Sequence, residues 1–306
     1  MKVSVIIPVY NKEEYIGECL MHLLQQDFDG FEVICVDDGS TDNSGRICGE
    51  WAAKDARISV THTENRGVTA ARRRGVELAQ GQYIIFADAD DRLQPGALRI
   101  LHEAITRYDA DEVIGRFVTQ HGAVSPMAYE GVMNDVKPLI TDIVTSRNVF
   151  PVLWGLICKK KLVANCLDTP REIIEGEDLM MQVKILMKQP KVCFICDCVY
   201  YYNAGLPNTR KRTLAKEQLY DTLLRQVLEP EWEKYKTAYV FHQIKQYEEF
   251  IIRGQYEVRK AYYQQVIPSP LPKELPLLRR IVWSLPPQAA RVLLRVYRRL
   301  LALAQK

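Results

Sequence analysis

The chain has 306 residues, 47% hydrophobic and 26% charged, the balance of a globular protein with one large domain and room for a smaller appendage. Its net charge of +3 is too small to argue for a nucleic-acid partner. No apolar stretch reaches the roughly 18 residues that span a bilayer, and "MKVSVIIPVY" runs straight into a strand without a leader-peptide pattern, so a cytoplasmic protein is expected.

In chain order, Val3–Ile7 reads as a strand, and Lys12–Gln26 as a helix with Tyr15, Ile16, Cys19, Leu20, Leu23 and Leu24 on one face. Asn11 and Glu14 are its expected capping pair. Phe31–Val36 is the next strand, followed by the turn-rich "DDGSTD", a helix over Ser44–Lys54 and a short strand near Ile58–Thr61. A helix over Val68–Ala79, a strand over Tyr83–Ala87, a helix over Pro95–Tyr108 and a strand over Glu112–Val118 complete the regular part. Such β-α repeats predict a mostly parallel sheet with helices on both faces. Ligands of such sheets bind at the carboxyl ends of the strands. There "PVYN", "DDGSTD" and "DADD" fall, after the first, second and fourth strands.

Beyond Val124 the pattern loosens. Asn134–Thr145 suits a helix, "EGEDLMMQVKILMK" opens a helix with acids and closes it with lysines, and "KVCFICDCVYYYN" suits one or two strands. Eight cysteines fit reduced, mostly buried thiols. In "CFICDC" strand alternation turns Cys193 away from Cys196 and Cys198, which argues against a metal cluster. After Thr213 the chain reads as helical, best over Ala215–Leu228 and Glu231–Ile252, and "IPSPLPKELP" reads as a linker. The expected divisions are 1–212, 213–267 and 268–306.

The turn after the first strand, "PVYNKEE", has no glycine, which excludes a dinucleotide-binding turn and a phosphate-cradling loop. "VDDGS" puts Val36 where a haloacid-dehalogenase phosphatase needs its nucleophilic aspartate. The three acids of "DADD", Asp88, Asp90 and Asp91, repel one another unless something positive lies between them, and carboxylates at a strand end suit a hard divalent cation.

In order and spacing, "VSVIIPVYNKEEYI", "FEVICVDDGSTDNS", "NRGVTAARRRG", "GQYIIFADADD" and "EGED" resemble family 2 glycosyltransferases over roughly the first 205 residues. The resemblance implies a GT-A fold, an α/β nucleotide-sugar-binding domain, followed here by a helical C-terminal region. It further implies an inverting transferase that moves a sugar from a UDP-sugar to a glycan acceptor. Pro8, Val9 and Tyr10 would line the uracil and ribose pocket, Asp38 would accept from the uracil imide, and Arg72 would lie beside the base or phosphates. Asp90 would be the principal ligand of Mn²⁺ or Mg²⁺, with Asp88 beside it near the sugar nucleotide. Asp178 would be the catalytic base, assisted by Glu177, and Trp154 would face the acceptor sugar or sit in the core. Arg73 and Arg74 depart from the family pattern and are expected in water. Asn208, Arg210, Lys211 and Arg212 stand where members order a lid over the diphosphate. The competing readings are a non-catalytic nucleotide-sugar-binding scaffold and, with less support, a nucleotidyltransferase.

From Leu275 to Lys306 there are six arginines, one lysine and no acid, a local +7 that leaves the preceding 274 residues at a net −4. On a helical wheel Arg291, Arg295, Arg298 and Arg299 share an arc of about 100°, opposite Leu293, Val296, Tyr297, Leu300 and Leu303. That pattern fits a helix in a membrane interface or one docked on the enzyme. The first alternative implies a peripheral enzyme on the inner face of the membrane, working on a lipid-linked precursor of bacterial surface polysaccharide or lipopolysaccharide. It also implies that a chain ending at Glu274 stays folded.

Overall fold

The computed structural model describes residues 2–125, 128–146, 152–173, 175–204, 213–254, 257–267 and 269–304. The chain forms two compact units, one of residues 1–143 and 148–212, the other of residues 144–147 and 213–306.

The first unit opens with β1 (Val3–Val9), α1 (Ile16–Leu24), β2 (Phe31–Asp37), α2 (Ser44–Ala52), β3 (Ile58–His62), α3 (Val68–Leu78) and β4 (Tyr83–Phe86). It continues with β5 (Arg92–Leu93), α4 (Ala97–Arg107), β6 (Glu112–Thr119), β7 (Gly131–Met133) and α5 (Lys137–Thr145). Then come β8 (Leu156–Lys159), α6 (Lys160–Val163), α7 (Glu177–Leu186) and β9 (Val192–Tyr202). The strands lie in the order β3-β2-β1-β4-β8-β6-β9-β5, with β7 paired to β9.

β1 is covered on both faces. Val3, Val5, Ile7 and Val9 point into one core with Cys19, Leu20, Leu98 and Leu101, and Ile6 points into the other with Ile34, Phe86 and Ala71. A period of two explains the division, and burial of both faces explains the unbroken apolar run. α3 crosses Ile6 so closely that a Cβ on Gly75 would come within 2.3 Å of its Cγ2, so only glycine fits there.

The sheet is less parallel than expected. β1, β2, β3 and β4 run parallel, but β8 is antiparallel to both β4 and β6, and β5 and β7 are antiparallel to β9. Strand direction depends on the end from which the returning chain enters the sheet, and local pattern does not encode that. The expected cap of α1 is also absent. Tyr15 is the N-cap residue without a side-chain cap bond, and Asn11 Oδ1 instead accepts the N–H of Thr41 at 2.8 Å.

The second unit contains α8 (Leu214–Leu228), a 3-10 turn at Glu229–Glu231, α9 (Trp232–Arg253), α10 (Glu257–Val266), α11 (Leu277–Ser284) and α12 (Pro287–Ala304). Thr213 caps α8, its hydroxyl accepting from the Lys216 N–H. The described part of the expected third division, residues 269–304, packs within this unit. Leu275, Val282, Ala290 and Leu294 are buried in one core with Phe250, Ile251, Tyr263 and Ile267. Removing everything after Glu274 would open that core, so the truncated chain is not expected to keep this unit folded. Among the described residues no helix is long and apolar enough to cross a membrane.

Candidate active site

Two loops at the carboxyl edge of the sheet are laced together. The Asn11 N–H donates to Ser40 Oγ, the Lys12 N–H to Ser44 Oγ at 2.7 Å, the Glu13 N–H to Asp42 Oδ2, and the Asn43 N–H to Glu13 Oε2. The polar residues of "PVYNKEE" and "DDGSTDNS" therefore hold each other, beside Tyr10, Lys12 and Asp38 of the cavity lining.

The paired acids of "VDDGS" have separate tasks. Asp37 accepts from the Ser40 N–H at 3.0 Å and lies 2.8 Å from His62 Nδ1. Asp38, only 4% exposed, accepts the N–H groups of Arg66 at 2.8 Å and Gly67 at 2.7 Å, which shapes the turn into α3. Gly67 has φ +91°, a conformation that glycine adopts without a Cβ penalty.

Each acid of "DADD" has its own partner. Lys12 Nζ pairs with Asp90 at 2.5 Å. Arg72, 2% exposed, reaches Asp88 with Nη2 at 3.1 Å and Asp178 with Nη1 at 2.5 Å, tying the end of β4 to the first turn of α7. Asp91 turns inward, accepting from Tyr200 OH at 3.0 Å and from the Asn203 N–H at 2.8 Å. Tyr200 OH in turn accepts the Asp88 N–H at 3.0 Å. Burial, with the charge of Asp88 adding to it, pushes the Asp91 carboxyl up to about 8. The carboxylate crowding is thus relieved by a lysine, an arginine and the inward turn of Asp91.

Asp178 follows Gly176, the N-cap residue of α7 at φ +85°, and Glu177. Burial raises the Asp178 carboxyl above the usual range while Arg72 pulls it down, and Asp88 is raised by burial against the same arginine. Two partly desolvated carboxylates share one guanidinium.

Pro8, Val9, Tyr10, Asp38, Arg72, Asp88, Asp90, Glu177 and Asp178 all line one cavity of about 450 Å³, within the usual span of ligand pockets. Tyr10 is 47% exposed and presents its ring there. Arg72 lines the cavity while nearly buried, its guanidinium held by Asp88 and Asp178. Trp154 is not in the cavity. It is 4% exposed in the core, stacked on Tyr200 at 4.6 Å and Tyr202 at 4.9 Å with Phe117 edge-on, so the expected contact with an acceptor sugar is replaced by aromatic packing. Arg73 and Arg74 are exposed. Asn208, Arg210, Lys211 and Arg212 lie outside the described residues.

The sequence reading missed Lys12, Asn65, Arg66, Gly67, Arg171 and Ile173 in the lining. Lys12 and the "NRG" segment stood within or beside motifs already singled out. Arg171, whose Nη1 donates to Asn65 O at 2.7 Å, had no signal of its own. Among the described residues no group of three His, Cys, Asp or Glu side chains converges as a metal cluster. Asp88 and Asp90 nevertheless face the cavity with side chains 30% and 19% exposed, and two hard carboxylates fit a cation that draws its remaining ligands from phosphate and water.

A β-α sheet with an acid-lined cavity at its strand ends defines an α/β protein with its ligand cavity at the carboxyl edge of the sheet. The chain belongs to glycosyl transferase family 2, whose sequence model matches residues 4–158, about half of its length. "Glycosyltransferase GlyG" of Streptococcus pneumoniae is 42% identical over 116 residues, 38% of each chain. "Poly(ribitol-phosphate) beta-glucosyltransferase" of Bacillus spizizenii is 31% identical over 207 residues, 66% of this chain and 32% of that protein. The crystal structure of S. aureus TarS 1–349 in complex with UDP-GlcNAc shares the fold, with TM-score 0.76 at 20% identity over 98% of this chain and 92% of that one. The matches span about a third of the length of these two curated relatives, 38% and 32%.

Proposed function

We propose that the protein is an inverting, metal-dependent glycosyltransferase that moves a sugar from a UDP-sugar to a hydroxyl of a growing, lipid-linked bacterial surface glycan. The observation that carries this reading is the meeting on one cavity of Asp178 from α7 with Asp88 and Asp90 from the end of β4, Asp88 and Asp178 sharing one arginine.

Tyr10 offers its ring to uracil beside Pro8 and Val9. Asp38, with lone pairs left after holding two backbone N–H groups, accepts from the imide. Lys12, Arg66 and Arg171 bring positive charge to the cavity for the diphosphate. Asp88 and Asp90 would hold Mn²⁺ or Mg²⁺, which when bound neutralises charge on the departing diphosphate. Asp178 takes the proton of the acceptor hydroxyl as that oxygen bonds the anomeric carbon and the bond to UDP breaks. A carboxylate lifted toward neutrality by burial is the better base. Arg72 on Oδ1 fixes its direction, and Glu177 lines the same rim. Attack opposite the leaving group inverts the anomeric centre.

The relatives support two points of this reading, the UDP-sugar donor and a polymer acceptor. TarS crystallised with UDP-GlcNAc, and the names of two relatives give β-linked sugars on poly(ribitol-phosphate), a polymer acceptor. The test is release of nucleoside diphosphate from UDP-, GDP- and dTDP-sugars with Mn²⁺, with and without acceptor extract. UDP-sugars alone are expected to turn over, faster with acceptor. Asp178→Asn should bind UDP unchanged and lose at least about a hundredfold in rate. Near-normal turnover in that variant would make Asp178 a helix-cap residue, whereas a parent chain that binds UDP but turns over no donor sugar would be a scaffold.

A further inference from the structure

α12 is attached to its own unit by one side only. Ala290 and Leu294 are buried against the core that contains Phe250 and Ile251 of α9. Two of the four arginines grouped by the helical wheel also serve that side. Arg291 Nε donates to Ile252 O at 3.2 Å, and Arg298 pairs with Glu249. The basic arc is therefore divided, with half of it consumed in docking.

The other side has no such use. Val292, Val296 and Leu300, spaced i, i+4 and i+8, are 65%, 49% and 59% exposed, and Arg295 and Arg299 are exposed beside them. α11 repeats the composition, with Leu277 71% and Ile281 41% exposed and Arg280 exposed between them. A row of bare aliphatic side chains on a docked helix marks an interaction surface. Its electrostatics select the occupant. Residues 275–306 contain no acid, so a second copy would set arginine against arginine, whereas an anionic surface accepts both the charge and the apolar row.

We propose that the outward face of α12, Val292, Val296 and Leu300 with Arg295 and Arg299, lies on an anionic lipid surface. The docked side fixes the helix, so the apolar row enters the acyl boundary while the two arginines reach lipid phosphates. This goes beyond the transferase reading and does not need it: vesicle binding is measured without turnover, and either can fail alone.

The experiment is co-sedimentation of the full chain with vesicles of phosphatidylcholine alone or mixed with phosphatidylglycerol, at low and high salt. Binding is expected with the anionic vesicles and should weaken with salt. Each arginine near anionic lipid contributes about fivefold in affinity, so Arg295→Gln with Arg299→Gln should weaken binding about 25-fold. Val296→Asp should abolish it, with an unchanged thermal transition and unchanged UDP binding. The proposal is overturned by a full chain that ignores anionic vesicles at low salt, or by vesicle binding that survives all three substitutions. A dimer in sedimentation velocity that Val296→Asp dissolves would overturn it too, by assigning the face to a second copy.

Discussion

Replacing Glu112 by glutamine removes a buried acid with little change in side-chain shape. Glu112 opens β6, is fully buried, and its Oε1 accepts from Gln182 Nε2 at 2.9 Å. Its Oε2 and the Oε1 of Gln182 have no hydrogen-bond partner among the described residues. A proton on the carboxyl supplies the donor that this acid–amide pair lacks. Burial accordingly pushes Glu112 from 4.5 up to about 7, with the Gln182 bond pulling weakly the other way. The folded chain thus holds this proton more tightly than the unfolded one. The associated stability is full below about pH 4.5, falls as pH rises, and is gone above about 7. At 1.36 kcal/mol per pH unit the interval is worth about 3 kcal/mol, of which about 2 are lost between pH 5.5 and 8. Glutamine stays neutral throughout. In urea unfolding followed by circular dichroism, the advantage of Glu112→Gln over the parent chain should grow by about 2 kcal/mol from pH 5.5 to pH 8. A pH-independent difference, or a variant less stable than the parent at pH 8, would show that Glu112 is ionised and well paired in the folded state.

Three substitutions test the site. Asp90→Asn should remove Mn²⁺-dependent turnover of the donor and leave the urea midpoint in place; a parent chain that works at full rate in EDTA would end the metal reading. Arg72→Met leaves Asp88 and Asp178 without their shared cation and should cost about 3–5 kcal/mol at pH 7.5. The cost should be smaller at pH 5, where the carboxyls take up protons, and an equal loss at both values would refute the shared-cation account. Lys12→Met frees Asp90 and should tighten Mn²⁺ binding to the protein without nucleotide, read by manganese electron paramagnetic resonance, by at least severalfold. Unchanged affinity would mean that the lysine does not compete for that carboxylate.

Much of the first unit was legible in the chain because its signals are local. A strand covered on both faces has to be apolar throughout, so β1, β2 and β4 announce themselves, and α1 and α3 follow from helical spacing. Polar strings directly after those strands must lie at their carboxyl ends, which brings Tyr10, Asp38, Asp88 and Asp90 to one edge. The partners of those residues are another matter. Lys12 meets Asp90 from 78 residues away, and Arg72 meets Asp178 from 106. Nothing in "PVYNKEE" says which acid its lysine will hold, or that Asp91 will turn inward to Tyr200. The direction of β8 and the burial of Trp154 likewise depend on how distant strands come together. At α12 the sequence determined that one side is rich in arginine and another in aliphatic residues. Only packing decided that Ala290 and Leu294 go inward, because small and branched side chains fit the space beside Phe250 and Ile251, which leaves Val292, Val296 and Leu300 bare. Periodicity fixes what lies on each side of a helix, and the shape of the neighbouring core chooses which side it takes.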